Sequence, residues 1–383
     1  MKVLIYTNAF HPQIGGQETI LKLLAEGLAL RTSKDVVVTV ATPTRAGGSD
    51  DSKLPFTVVR KPSFISLVRL YLQADVVHLA GPMMLPMILA IALRKPMVVE
   101  HHGFQTICPN GQLLYGPSQS LCSGYFMTRQ YLKCIRCNSD LGLLRSMKMW
   151  LLTFPRRWVC QRATSNVLPT AWLGSMIRLN RMETIVHGIP APLISGADGP
   201  NDPVPTFVFV GRLVTSKGVR VLLNAVKIAR SEGLNFRVSI IGKGPDRELL
   251  EALAQELCID HFVRFLGYVA EDQLERIVDG ASAVIMPSLA GEVFGLSAAE
   301  NMARGKLVIA SDIGSLSEVI GDAGMTFPAG DSKALALLMR EVIQRPSIVK
   351  EFGQKARSRI SRDFDWETMT SRHYRLYENI TFS

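Results

Sequence analysis

At 383 residues, with 47% hydrophobic, 20% charged and 7% aromatic content, the chain is too long for one ordinary core and too apolar for a disordered tail. Two domains or one large α/β unit is the expectation. The formal charge of +10 is uneven: residues 1–200 hold 21 Lys and Arg against 10 Asp and Glu, whereas residues 201–383 hold 22 against 23. That asymmetry points to a polyanionic partner for the first half, either nucleic acid or an anionic membrane surface.

Only four apolar residues follow Lys2 before Thr7 and Asn8, too few for a signal peptide's apolar region, so the start reads as a first strand. Short β-branched runs then alternate with helical patterns: VLIY (3–6), TILKLLAEGLALR (19–31), VVVTVAT (36–42), ADVVHLA (74–80) and PMVVEHH (96–102). This is the βαβ rhythm of a parallel, doubly wound sheet. The longest apolar run, residues 79–93, falls short of the ~18 residues that suggest a membrane span and is broken by Pro82 and Pro86. A cytoplasmic protein is the expectation.

The rhythm continues near NVLPTAW (166–172) and ETIVHGI (183–189), then PAPLISGADGPNDPVP (190–205) interrupts it. Pro, Gly, Asp and Ser mark a linker there. Strand and helix patterns resume with TFVFVG (206–211), VRVLLNAVKIARSEG (219–233), FRVSIIG (236–242), RELLEALAQELC (247–258), VRFLG (263–267), DQLERIVDGA (272–281), AVIMP (283–287), KLVIAS (306–311) and MTF (325–327). Glycines at strand exits suit ligand-binding βα turns. The last segment, from 363, reads as an amphipathic helix added after the second sheet is complete.

Chemistry concentrates in the second half. FVFVGRLVTSKGV (207–219) sets Arg212 and Lys217 at the exit of a strand beside a helix start, a good place for a diphosphate; two solvated surface cations is the plainer reading. IIGKGP (240–245) is a second Gly-rich exit, in which Gly242 and Gly244 admit a ligand or simply make a tight turn. In AVIMPSLAGEVFGLSAAE (283–300), Gly295 lets the N–H groups of Gly295, Leu296 and Ser297 open a helix toward a phosphate. Glu300 then stands ~6 Å beyond Leu296, about the reach from a diphosphate to the ribose of the same nucleotide. The apolar surroundings LSAAENMA argue against a merely solvated carboxylate.

Taken together, HPQIGGQE (11–18), VGRLVTSKG (210–218) and GEVFGLSAAE (291–300) resemble the Gly-Gly loop, basic loop and E-x7-E motif of the retaining, nucleotide-sugar-dependent glycosyltransferases of the group-one or family-four type. The resemblance covers nearly the whole chain. It implies the GT-B fold: an N-terminal acceptor-side Rossmann-like domain (1–190) with an insertion at about 104–162, a linker (191–203), a C-terminal nucleotide-sugar domain (204–362) facing the first across a cleft, and a helix (363–383) returning to the first domain. It also implies roles. Arg212 and Lys217 neutralise the donor diphosphate, Glu300 holds the ribose, and Glu292 with the backbone of Phe294 and Gly295 holds the transferred sugar or the diphosphate. Gly15 and Gly16 close on the diphosphate from the first domain. The family places a histidine after a first-domain strand, and spacing to Cys108 favours His102 over His101 here. Val293 and the stretch GSLSE (314–318) depart from the usual pattern, which weakens any role for Glu318. Metal-independent catalysis is expected, since no pair of metal-binding carboxylates resembling the Asp-x-Asp of the other large transferase fold is recognised and the diphosphate meets cations and helix dipoles instead.

Cys108, Cys122, Cys134 and Cys137 are spaced C-x13-C-x11-C-x2-C, which fits a structural zinc site or reduced thiols better than disulfides in a cytoplasmic protein. Residues 129–162 carry eight Lys and Arg against one acid, Asp140, interleaved with Trp150, Leu151, Phe154 and Trp158. Such a mixture suits the interface of an anionic membrane, or else a core-facing stripe with a solvated basic face. The expected activity is transfer of a sugar from a nucleotide-diphosphate donor, UDP favoured, to a glycan acceptor, lipid-linked in the membrane reading, in polysaccharide or lipopolysaccharide assembly at the inner face of the cell membrane. A non-catalytic nucleotide- or glycan-binding protein is the alternative. No nucleic-acid-reading module is recognisable.

Overall fold

The first strand, β1 (Lys2–Tyr6), leads into α1 (Gly16–Ala29), β2 (Val37–Thr42), β3 (Thr57–Arg60), α2 (Phe64–Gln73), β4 (Val76–Leu79), α3 (Met84–Ala92) and β5 (Met97–Glu100). After them come the two-residue strands β6 (Leu114–Tyr115) and β7 (Ser120–Leu121), α4 (Tyr131–Arg136), α5 (Leu143–Cys160), β8 (Ser165–Leu168), α6 (Ala171–Ile177) and β9 (Met182–Thr184). The coordinates, a computed structural model, describe residues 1–13, 15–31, 36–48, 50–190 and 204–382. The expected linker at 191–203 lies outside the described residues.

The apolar run at 79–93 becomes the end of β4, a turn and α3, whose first turn tolerates Pro86 because that position needs no intrahelical N–H partner. Among the described residues no helix is long and apolar enough to cross a membrane.

The second series is β10 (Thr206–Val210), α7 (Val219–Ser231), β11 (Arg237–Ile241), α8 (Arg247–Glu256), β12 (Val263–Gly267), α9 (Glu271–Asp279), β13 (Ala283–Met286), α10 (Leu296–Ala303), β14 (Val308–Ser311), α11 (Ser315–Ile320), β15 (Met325–Phe327), α12 (Ser332–Gln344), α13 (Ser347–Asp363) and α14 (Trp366–Phe382). The chain divides into two units. Met1–Gln112, Gly124–Pro190 and Phe364–Ser383 form one, and Leu113–Ser123 with Ala191–Asp363 form the other. The β6–β7 ribbon, inside the expected first-domain insertion, thus groups with the second unit.

Each unit carries one parallel sheet. The orders are β3-β2-β1-β4-β5-β8-β9 and β12-β11-β10-β13-β14-β15. Both are doubly wound, and in both the chain reverses direction beside its first strand, between β1 and β4 and between β10 and β13. Loops leaving the C-terminal ends of those strands spread apart there and leave room for a ligand. The central strands are buried on both faces, as VVHL, MVVE, AVIM and VIAS show, so polar residues at their ends stand out. His78 and Glu100 are two such residues, fully buried.

Helix α14 belongs to the first unit, as the expected C-terminal helix does. Asp365 caps it, its carboxylate accepting from the amide and hydroxyl of Thr368 at 2.7 and 2.8 Å. Trp366 Nε1 donates to the Leu23 carbonyl of α1 at 2.9 Å. Gly27 permits the close approach, because a Cβ there would collide with the Thr370 side chain.

Candidate active site

The second unit's switch point gathers the residues singled out in its sequence. Exposed Arg212 follows β10, and Lys217 ends a one-turn 3-10 segment, Thr215–Lys217. Gly218 then takes a left-handed conformation, φ +68°, and is packed so tightly that any Cβ would overlap the Pro287 carbonyl oxygen. That contact fastens the basic loop to the exit of β13. Hydrogen bonds from the amides of Leu289 and Ala290 to the Ser216 carbonyl, 2.8 and 3.4 Å, do the same.

The consequence is an ion pair: Lys217 Nζ donates to Glu292 Oε1 at 2.6 Å, and Ser288 Oγ donates to the same oxygen at 2.7 Å. Burial raises the Glu292 pKa, but the Lys217 charge and the two hydrogen bonds more than offset it, leaving the carboxyl below its ordinary range. Lys217 and Glu292, expected to face different parts of a donor, therefore form one unit in the free protein. Gly314, at φ +61°, runs against the Glu292 backbone, and the Ser315 amide donates to the Glu292 carbonyl at 3.3 Å.

Gly295 precedes α10 at φ +93° and no side chain caps the helix. A Cβ there would press on the Leu316 side chain. Ala298 and Ala299 return their N–H groups to the Gly295 carbonyl, at 2.9 and 3.2 Å, and the earlier N–H groups of Leu296 and Ser297 stand at the positive end of the helix dipole. Phe294 is buried beneath the turn. Glu300, half-buried one turn on, has its pKa pushed up to about 7, chiefly by burial and further by Glu271, with Arg304 opposing. Two cations, a helix start and a carboxylate poised near neutrality thus share one sheet edge.

In the first unit, Gly15 and Gly16 stand at the start of α1, Gly15 in extended backbone. Gln17 ties that start to the switch point, its amide donating to Thr7 Oγ1 and the Ala80 carbonyl at 3.2 and 3.3 Å. His102 lies almost buried, 3.6 Å from Glu100, its ring stacked on His187 with centroids 5.3 Å apart. His101 is fully buried and bonded to Asn166 Oδ1 at 3.0 Å, with its pKa pushed down to about 4 by burial.

Sequence reasoning missed Glu100 and its ring of histidines. His78, His187 and His373 are far apart in the chain and share no spacing motif; the one available signal was a glutamate closing the apolar strand MVVE. Cys108, Cys122 and Cys134 are buried and Cys137 is half-buried. Among the described residues, the groups of three or more metal-ligating side chains within mutual reach are both built on Glu100.

Residues 193–359 match the family model for Glycosyl transferases group 1. The chain aligns with glycogen synthase of Mycobacterium tuberculosis, 30% identical over 44% of this chain and 41% of that protein. It also aligns with phosphatidyl-myo-inositol mannosyltransferase of Mycobacterium leprae, 33% identical over 46% of this chain and 47% of that protein. The chain thus spans less than half the length of these curated relatives. Over nearly its whole length it superposes on Anabaena HepE solved in complex with UDP-glucose, with a TM-score of 0.72, 16% identity and coverage of 99% of this chain and 100% of that one. The likeness to the group 1 glycosyltransferases thus lies in the second unit, and the fold of the chain is GT-B.

Proposed function

We propose that the protein transfers a sugar from a nucleotide-diphosphate donor, UDP favoured, to a glycan acceptor carried on a lipid, with retention of anomeric configuration, in polysaccharide or glycolipid assembly. The observation that carries this reading is the convergence of the Lys217–Glu292 ion pair, the uncapped start of α10 and Glu300 on one side of the β10/β13 switch point. The helix start and Arg212 receive the diphosphate, and Glu300 receives the ribose hydroxyls. Glu292 holds Lys217 in place until the diphosphate competes for it. Negative charge that builds on the departing nucleotide is then met by cations already in position, at no cost of reorganisation. No divalent ion is needed in this account. The UDP preference is supported by the nucleotide bound to the structurally similar HepE.

The lipid-borne acceptor is supported by α5. Leu144, Met147, Leu151, Phe154 and Trp158 lie along one side of that helix at three- and four-residue spacing, all exposed, with Arg145 and Lys148 exposed beside them. An apolar stripe flanked by cations fits an anionic bilayer interface.

The test is turnover by the purified full chain against a panel of nucleotide sugars with lipid-linked acceptors, reading donor consumption and the product's anomeric configuration by NMR. Transfer with retention is expected, and Lys217→Ala should lower kcat/KM by about 100- to 1,000-fold, the usual loss when one preorganised charge-stabilising donor is removed. Donor binding without turnover for every acceptor would instead mark a nucleotide-binding protein.

A further inference from the structure

Buried carboxylates are normally surrounded by donors, yet one oxygen of Glu100, Oε2, has no hydrogen-bond partner among the described residues. Glu100 ends β5 and His78 lies in β4, where it pairs with Val98. Because side chains alternate along a strand, Glu100, two residues after Val98, is on the same face as His78. Helix α14 contributes His373. All three side chains are fully buried.

Each ring's outer nitrogen is occupied. His373 Nδ1 lies 3.0 Å from the Met369 carbonyl, which can only accept, so Nδ1 carries the proton and Nε2 presents a lone pair. His78 Nδ1 lies 2.8 Å from the Tyr377 hydroxyl; in the tautomer whose Nδ1–H donates to that oxygen, Nε2 presents a lone pair as well. The other carboxylate oxygen of Glu100 is held by His187 Nε2 at 3.0 Å. Glu100 Oε2 faces His78 Nε2 at 3.0 Å, His102 Nε2 at 3.6 Å and His373 Nε2 at 3.8 Å, and none of these four atoms has a hydrogen-bond partner among the described residues. Leaving such an atom unsatisfied in a protein interior is costly, and here four converge on one point.

We infer that Glu100, His78 and His373 form a structural site for a divalent transition metal of the zinc class, buried between the β4–β5 face and α14. Ligand atoms ~2.1 Å from a tetrahedral zinc stand about 3.4 Å apart, and the two observed separations, 3.0 and 3.8 Å, bracket that value. Two imidazoles and one carboxylate suit zinc, and the Tyr377, Met369 and His187 contacts are the outer-shell bonds that orient ligands around such an ion. Three protein ligands leave a fourth position for water. The ion would bind α14 to the sheet of its own unit, so metal and folding would be coupled.

The experiment uses the full chain carrying a non-histidine affinity tag. It is stripped with a chelator, and ZnCl2 or CoCl2 is added while metal content, Tm and the cobalt spectrum are measured. One equivalent of metal, a rise in Tm on zinc addition, and visible cobalt d–d bands without near-ultraviolet thiolate charge transfer are expected. His373→Gln should lose the equivalent and the Tm response, whereas Cys134→Ser/Cys137→Ser should keep both. The wild-type cobalt spectrum carries the test even if the His373 variant does not fold. Absence of stoichiometric metal at micromolar zinc, or thiolate charge transfer that vanishes with the cysteine changes, would overturn the assignment.

Discussion

Glu300 is the residue whose chemistry is set most directly by its surroundings. Its carboxyl titrates at about 7 in the free protein, against ~4.3 in an unfolded chain. Because the folded value is raised, the stabilising contribution of the neutral carboxyl is complete below the unfolded value and is lost as pH rises through about 7. Donor binding at the proposed site has the opposite sign, since ribose hydroxyls would donate to the ionised form. Donor affinity measured by calorimetry should therefore fall as pH drops through 7, approaching tenfold per unit below it, and Glu300→Gln should flatten the profile at weak affinity. A wild-type profile with no inflection between pH 6 and 8 would remove Glu300 from the ribose site. Both carboxylates were visible in the sequence because GEVFGLSAAE surrounds them with small and apolar residues. Their difference was not, for it depends on Lys217 and Ser288 reaching Glu292 while at Glu300 the charge of Arg304 does not offset burial and Glu271.

At the scale of elements, α5 shows why a periodic pattern alone leaves its face ambiguous. A stripe of Leu, Met, Phe and Trp ordinarily turns inward. Here Leu144 is 85% exposed and Trp158 56% exposed, while buried contacts of the helix come from Ser146, Thr153, Val159 and Cys160. Arg157 is turned to the α6 terminus, donating to the carbonyls of Ile177 and Arg178 at 2.6 Å each, so it is not available to a bilayer. Replacing Leu144 and Leu151 by Glu should abolish co-flotation with anionic vesicles and leave Tm nearly unchanged, because exposed positions contribute little to packing. Retained flotation in that variant would rule α5 out as the membrane face. Helix α14 was predicted as an amphipathic helix, and its amphipathic pattern was sufficient for that. The partner of its buried face was implied only by family resemblance, since Trp366 reaches α1 across more than 340 residues of chain.

For the whole molecule, the charge asymmetry belongs to the first half, whereas most residues proposed to bind the donor belong to the nearly neutral second half. Vesicle binding by the intact chain should weaken steeply as salt rises from 0.05 to about 0.5 M, as the Debye length shrinks toward contact distance, while duplex DNA is not retained at physiological salt. Tight DNA retention with a steep salt slope would turn the basic half toward nucleic acid instead. The βαβ rhythm, the two-sheet organisation and the residues proposed to hold the donor were legible because each rests on local signals: strand-length apolar runs, glycines at strand exits, and a helix start beside a cation. Strand β3 and helices α2 and α3 lacked such signals. The Lys217–Glu292 pair, the outward stripe of α5 and the Glu100 cluster were decided only when distant segments packed. Short-range pattern specifies which residues leave the sheet and where; which charges and lone pairs then face each other depends on sheet order and on the return of α14, neither of which is written in local spacing.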